Sequence, residues 1–131
     1  MKKLFLGMFI MLSANLFASE PMLEATPFAV VAQQIGKGKA VLIEVGSDRC
    51  RSCQIMGRLL YKVKGAHPAY PIYFVNVAKE RQAAYRLKIQ MIPTQIVFDA
   101  RGREAFRHVG VLQPDELETV LKRYITGKEQ S

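Results

Sequence analysis

The seven residues "AVLIEVG", at positions 40–46, constrain the fold more than any other stretch of the chain. They form an apolar run that contains Val and Ile and a single acid, Glu44. A run of this length and composition predicts a buried central strand. Since 50% of the 131 residues are hydrophobic, the chain also has enough apolar material for the core of one domain.

The rest of the sequence predicts the elements around this strand. Apolar residues recur at helical spacing in "CQIMGRLLYKVKG", and Gly65 marks the end of that helix. The turn "DARG" joins two strands into an antiparallel pair. The predicted elements are helix 27–35, strand 40–46, helix 53–65, strand 72–77, helix 79–89, two strands within 92–110, and helix 113–127. This αβαβαββα order predicts an α/β fold with a central mixed sheet of about four strands and helices on both faces.

The N-terminal residues follow the pattern of a secretory signal peptide. Two lysines precede an uncharged run from Leu4 to Leu12, and small residues follow as far as Ala18. The apolar run is shorter than the roughly 20 residues that a membrane-spanning helix needs, although a retained membrane anchor is the alternative. We therefore predict a signal peptide at 1–18, a folded domain at 19–131, and a periplasmic or secreted protein.

The basic charge of the chain does not follow the pattern of a nucleic-acid-binding protein. The sequence has 19 Lys and Arg against 11 Asp and Glu. These basic residues are scattered, with small groups at Arg49/Arg51 and Arg101/Arg103, rather than clustered among aromatic residues. We expect solvated basic faces, no nucleic-acid partner, and a charge that favours encounters with acidic protein surfaces.

Cys50 and Cys53 are the only cysteines, and they stand where the predicted buried strand leads into a helix. A disulfide between residues this close closes a loop too small to stabilise a fold much. A c-type haem needs His directly after the second cysteine, where this chain has Gln54. Structural zinc needs four ligands, and His67 and His108 are not spaced to supply the missing two. Redox chemistry and Cu(I) binding by the two thiolates are the interpretations left.

In the redox interpretation each cysteine has its own task. The N-terminus of a helix favours an anion, so it lowers the pKa of a thiol such as that of Cys50. Cys53 lies one turn further on and is predicted to be more buried. We expect Cys50 to attack a substrate disulfide and Cys53 to resolve the mixed disulfide that results.

Glu44 and Pro93 are the other two candidate residues that the pattern singles out. A carboxyl buried in the central strand would have a raised pKa and could exchange a proton with Cys53. The alternative is a solvated glutamate at an edge of the sheet. Pro93 directly precedes a predicted strand, where a cis bond can occur, but the residues alone favour the commoner trans form.

These motifs together resemble the thioredoxin family over about residues 27–126. The quoted stretches that carry the resemblance are "VLIEVGSDRCRSC" for the central strand and redox motif, "IPTQIVFDARGRE" for the cis-proline strand and hairpin, and "HVGVLQPDELETVLKRYI" for the last strand and helix. The resemblance implies a thioredoxin-like fold.

The resemblance also implies a role for each candidate residue. Cys50 is the expected nucleophile and Cys53 the resolving cysteine. Pro93 is expected to be cis and to pack against both cysteines, with the backbone of Ile92 free to pair with an extended substrate segment. Glu44 occupies the position of the family's buried acid, which supports its role in proton transfer.

The chain departs from the family at several positions. Thioredoxins usually have Trp before the first cysteine and Gly-Pro between the two, whereas this chain has Arg49 and then Arg51-Ser52. Phe74 replaces a lysine often found near the buried acid. Positive charge beside Cys50 predicts a stabilised thiolate and a more oxidising disulfide, unless the arginines point into solvent and mainly set partner choice.

The expected function is that of an exported thiol:disulfide oxidoreductase, and more narrowly of a periplasmic disulfide reductase. Its substrates would be disulfides of exported proteins. A membrane thiol carrier would donate the electrons, because no nicotinamide or flavin fingerprint is present. We expect no cofactor or metal, and a monomer. The alternatives are a disulfide oxidase or isomerase, and a non-enzymatic copper carrier that uses the same thiols.

Overall fold

The structure is a computed structural model that describes residues 20–127. The predicted signal peptide, residues 1–18, lies outside the described residues. Within the described part of the chain, no helix has the length and apolar character needed to cross a membrane.

The described residues fold in the predicted order, αβαβαββα. The helices are α1 (Phe28–Ala32), α2 (Arg51–Ala66), α3 (Arg81–Arg86) and α4 (Pro114–Val120), and a π-helical segment (Leu121–Ile125) continues α4. The strands are β1 (Val41–Gly46), β2 (Ile72–Asn76), β3 (Thr94–Phe98) and β4 (Glu104–Val109).

The four strands form one mixed sheet in the order β2-β1-β3-β4. The strand β1 pairs in parallel with β2, and α2 supplies the crossover that a parallel pair requires. The pairs β1–β3 and β3–β4 are antiparallel. The prediction of a central strand at 40–46 is confirmed, because β1 lies between β2 and β3.

The side chains of β1 alternate between two hydrophobic layers, as the pleat of a strand requires. On one face, Leu42 packs with Met56 of α2 and Leu117 of α4. On the other face, Ile43 packs in a cluster with Val31 of α1 and Ala83 of α3. Helices therefore cover both faces of the sheet, which explains why β1 is an almost unbroken apolar run.

The helix α2 is longer at both ends than the sequence predicted. It begins at Arg51, because the side chain of Cys50 caps it, so its first turn holds both residues between the cysteines. It runs through Gly65 to Ala66 rather than ending at the glycine. The first and third helices are shorter than predicted, at five and six residues.

The last helix begins as predicted and ends differently. The backbone N–H of Gln113 donates to the carboxylate of Glu116, and Pro114 occupies the start of the helix, which together account for where it begins. After Val120 the hydrogen-bond pattern changes to that of a π-helix, up to Ile125. Apolar spacing alone could not distinguish this segment from a continuous α-helix, because both keep similar residues on the core side.

Candidate active site

Cys50 is the N-cap residue of α2. Its backbone is extended, and its sulfur accepts a hydrogen bond from the backbone N–H of Cys53, with 3.3 Å between nitrogen and sulfur. The hydroxyl oxygen of Ser52 lies 3.4 Å from the same sulfur. The sulfur thus takes the place of the oxygen that usually caps a helix, beside N–H groups that have no partner within the helix. That position favours a thiolate.

The contacts of Cys50 explain why the pKa of its thiol is lowered. Partial burial alone would raise the pKa of Cys50, but hydrogen bonds with Cys53 and Ser52 outweigh it and hold the pKa below the ordinary thiol value. Of the two interpretations of Arg49 and Arg51, the structure favours the one in which both side chains point into solvent. Both arginine side chains are exposed, where solvent screens their charges, and the lowering comes from the neighbouring hydrogen bonds.

Cys53 has the opposite character. It is fully buried, as predicted. Burial raises the pKa of its thiol to about 12, and its interactions with the side chain of Cys50 and the charge of Glu44 add to the rise. The two free thiols therefore differ in both access and acidity, so that one can start an exchange reaction and the other can only complete it.

The sulfur of Cys53 and the carboxyl of Glu44 both lie close to Gly46, at the end of β1. A Cβ atom on Gly46 would lie 2.9 Å from the sulfur of Cys53 and 3.7 Å from Oε1 of Glu44. Any side chain at position 46 would therefore displace the sulfur. Because glycine has no side chain, the Cys53 thiol and the Glu44 carboxyl both fit on this side of the strand.

Glu44 is completely buried, so the alternative of a solvated glutamate at a sheet edge is wrong. It lies in the middle of the central strand and shares a sheet face with Leu42, because side chains two residues apart point the same way. Burial raises the pKa of Glu44 well above its usual value, a hydrogen bond from Gln95 partly offsets this, and the charge of Cys50 raises it further.

Gln95 is a residue of the candidate site that was not predicted from the sequence. It is completely buried, and its amide nitrogen lies 3.2 Å from Oε2 of Glu44. The signal was available, because Gln95 interrupts the apolar stretch of β3 as Glu44 interrupts that of β1. A polar residue in a buried strand requires a partner, and the register sets these two directly opposite each other.

The Ile92–Pro93 peptide bond is cis, whereas the residues alone favoured a trans bond. Pro93 is buried and Ile92 is half-buried. The carbonyl oxygen of Pro93 accepts a hydrogen bond from the N–H of Gly110, with 2.8 Å between nitrogen and oxygen. The apolar side chains of Met91 and Val109 stay exposed beside this segment, one just before it in sequence and one opposite the start of β3.

Among residues 20–127, no group of three or more His, Cys, Asp or Glu side chains is arranged to hold a metal ion. The pair of thiols is accompanied by a single buried carboxyl, and that carboxyl has its own hydrogen-bond donor in Gln95.

The chain is similar to known proteins over most of its length. A family model described as a thioredoxin-like domain matches residues 28–125. A thioredoxin of Mycoplasmoides gallisepticum is 25% identical over 101 residues, which are 77% of this chain and 100% of that protein.

Solved structures share the fold at lower identity. Thioredoxin from Fasciola hepatica aligns with a TM-score of 0.67 at 19% identity, over 79% of this chain and 99% of that one. Mitochondrial thioredoxin 3 from Saccharomyces cerevisiae, in its oxidised form, aligns with a TM-score of 0.64 at 20% identity, over 78% of this chain and 94% of that one. The thioredoxin-like fold is thereby confirmed.

We predict that iodoacetamide modifies Cys50 far faster than Cys53, because the thiolate is the reacting species. In the Cys53→Ser variant, the alkylation rate should rise with pH about a midpoint below roughly 8.5, the value of a free thiol. In the matched Cys50→Ser variant, Cys53 should react at least about 100-fold more slowly at pH 7, given its burial and high pKa. Mass spectrometry measures both rates, and equal rates would contradict the prediction.

We predict that Glu44→Gln stabilises the reduced protein at pH 8 but not at pH 4. The pKa of Glu44 is raised in the folded state, so the carboxyl is protonated in both states below about its ordinary value of 4.5. As the pH rises, the unfolded chain releases the proton first, and the wild-type free energy of unfolding falls until the folded carboxyl also ionises.

The difference in free energy of unfolding between Glu44→Gln and the wild type should therefore favour the variant more at pH 8 than at pH 4. Urea unfolding at the two pH values measures it. The exposed Glu24→Gln is the matched control and should show no such difference. A Glu44→Gln variant with the same pH dependence as the wild type would refute the burial argument.

Proposed function

Because the chain belongs to the thioredoxin-like family, we propose that it is an exported thiol:disulfide oxidoreductase that reduces disulfides through Cys50 and Cys53. One observation carries the proposal. An accessible thiol of lowered pKa caps α2, and a fully buried thiol of raised pKa follows it one turn later. This asymmetry suits a two-step exchange and has no use in a structural disulfide.

The exchange proceeds in two balanced steps. The thiolate of Cys50 attacks one sulfur of a substrate disulfide, which forms a mixed disulfide and releases the other substrate sulfur as a thiolate. Cys53 then passes its proton to the carboxylate of Glu44 and attacks the sulfur of Cys50. The Cys50–Cys53 disulfide forms, and the second substrate sulfur leaves. The substrate gains two electrons and the protein loses two.

Glu44 is suited to the proton step because it lies beside Cys53 and is shielded from water. A carboxyl of raised pKa is a stronger base than an ordinary one once it is ionised. The very high pKa of Cys53 makes such help necessary, since the thiol alone would rarely ionise near neutral pH.

The segment before β3 is suited to receive an extended protein segment, because the pairing of Thr94 with Val45 sets it at the end of β1 that leads to Cys50. Ile92 is half-buried next to cis-Pro93, and the exposed side chains of Met91 and Val109 offer apolar contacts. Arg49 and Arg51 are exposed on either side of Cys50, so acidic side chains near the substrate disulfide would favour binding. Ser52 contacts the attacking sulfur directly and helps to stabilise its thiolate.

The physiological setting that we propose rests on the N-terminal pattern. A protein exported by residues 1–18 meets disulfides of other exported proteins, including CxxCH segments that await haem. A cycle of reduction needs an electron donor on the same side of the membrane, and a membrane thiol carrier fits this need. Ile92 before the proline resembles the reducing members of the family, which favours a reductase over an oxidase or isomerase.

We predict that the reduced mature domain, recycled by dithiothreitol, catalyses the reduction of insulin disulfides. Cys50→Ser should be inactive, and Cys53→Ser should accumulate a mixed disulfide with its substrate, because the second step is blocked. The reduction potential of the Cys50–Cys53 disulfide, measured against glutathione, should be about −270 mV, as for a thioredoxin, rather than about −120 mV, as for a strong oxidase. Tight stoichiometric Cu(I) binding without insulin reduction would instead support a copper carrier.

We predict that the full chain, expressed in a Gram-negative bacterium, reaches the periplasm as a protein that begins at Ser19. Intact-mass measurement of the osmotic-shock fraction tests this. The Ile10→Arg variant interrupts the apolar run with a charge and should keep the precursor in the cytoplasm at full length. Wild-type protein found uncleaved in the cytoplasm would refute export and leave the redox activity a separate question.

A further inference from the structure

A row of three polar side chains crosses the sheet beneath the cysteines. Glu44 of β1 is paired with Gln95 of β3, which in turn is paired with His108 of β4. Residues directly opposite each other on neighbouring strands present their side chains to the same face. The row begins at the buried carboxyl and ends at a half-buried imidazole.

The orientation of the Gln95 amide follows from its neighbours. Its nitrogen lies 3.0 Å from the carbonyl oxygen of Gly110 and 3.2 Å and 3.5 Å from the two carboxyl oxygens of Glu44. A backbone carbonyl only accepts hydrogen bonds, so the amide nitrogen has to face it. One amide hydrogen therefore goes to Gly110, and the other is directed at the carboxyl oxygens of Glu44.

His108 fixes the other side of this amide. Its Nδ1 lies 2.8 Å from Oε1 of Gln95. Because that amide oxygen is an acceptor, Nδ1 has to carry a hydrogen. Every buried side-chain nitrogen or oxygen within residues 20–127 has a hydrogen-bond partner, so the arrangement around Gln95 is fully satisfied.

We propose that Gln95, held by His108 and the Gly110 carbonyl, is a positioning residue that keeps the Glu44 carboxylate directed at Cys53 and ready to accept its proton. The inference rests on the proposed function, since it concerns the second step of the exchange. Gln95 cannot take up the proton itself, because a neutral amide is not a base near neutral pH. It acts through Glu44 by donating a hydrogen bond to the ionised form.

The effect of Gln95 on the pKa of Glu44 agrees with this role. Burial disfavours the ionised carboxyl of Glu44, and the hydrogen bond from Gln95 partly offsets that effect. The titratable neighbours of Glu44 are Cys50 and Cys53, from the start of α2. On the strand side, Phe74 of β2 is apolar, and His108 of β4 lies beyond Gln95.

The test replaces Gln95 by Met, which has similar length and no amide. Carbon-13 NMR of the reduced protein follows the Glu44 carboxyl through a pH titration, assigned by its loss in Glu44→Gln. In Gln95→Met the titration midpoint should move to higher pH, so that about tenfold fewer Glu44 side chains are ionised at a given pH below it. The exposed Gln82→Met is the matched control and should leave the midpoint unchanged.

Turnover provides the second readout. The rate of insulin reduction should fall about tenfold in Gln95→Met, and this loss should vanish when Glu44→Gln is already present, because both changes act on one step. An unchanged Glu44 titration, or an equal loss of rate in both backgrounds, would overturn the proposal and leave Gln95 a structural residue. If Gln95→Met does not fold, His108→Ala takes its place, with a smaller shift in the same direction expected and no shift overturning the proposal.

The two proposals fail in different ways. A wild-type protein that reduces no disulfide would refute the proposed function, while the titration would still report on the contact between Gln95 and Glu44. A wild-type protein that is active and needs Glu44, combined with an unaffected Gln95→Met variant, would refute only the role of Gln95.

Discussion

The burial of β1 on both faces is the constraint on which the rest of the structure depends. This strand has neighbours on both edges and helices above and below, so every side chain in it enters a core. Apolar residues meet that condition at little cost, whereas a carboxyl does not. Glu44 is tolerated because Gln95, from the adjacent strand, donates a hydrogen bond to it. The burial that makes this acid costly also raises its pKa.

The two cysteines follow this strand and lie in different environments. The strand ends at Gly46, and a short turn leads from it to Cys50 at the start of α2. One helical turn later, Cys53 lies against the end of the strand. One sulfur gains hydrogen bonds from a helix start and the other loses contact with water. A spacing of three residues, one helical turn, thus separates an acidic thiol from a weakly acidic one.

The fold and the two cysteines were predictable because their signals are local or periodic. A buried run, an amphipathic helix and a turn each leave a mark within ten or fifteen residues. The effect of Arg49 and Arg51 was not predictable in the same way. Sequence adjacency put charges near Cys50, but the side chains extend into solvent, and short hydrogen bonds outweigh screened charges. The cis form of Pro93 likewise depends on its surroundings, since local preference alone favours trans.

The sequence by itself determined the order of the elements, the placement of both cysteines at a strand-to-helix junction, and the presence of one acid in the central strand. Only the tertiary structure decided what that acid touches. Gln95 is 51 residues from Glu44 along the chain and contacts it directly, and His108, 64 residues from Glu44, contacts Gln95, because β1, β3 and β4 pair in one particular register. Register sets the partners of a buried polar group, and no local pattern carries that information.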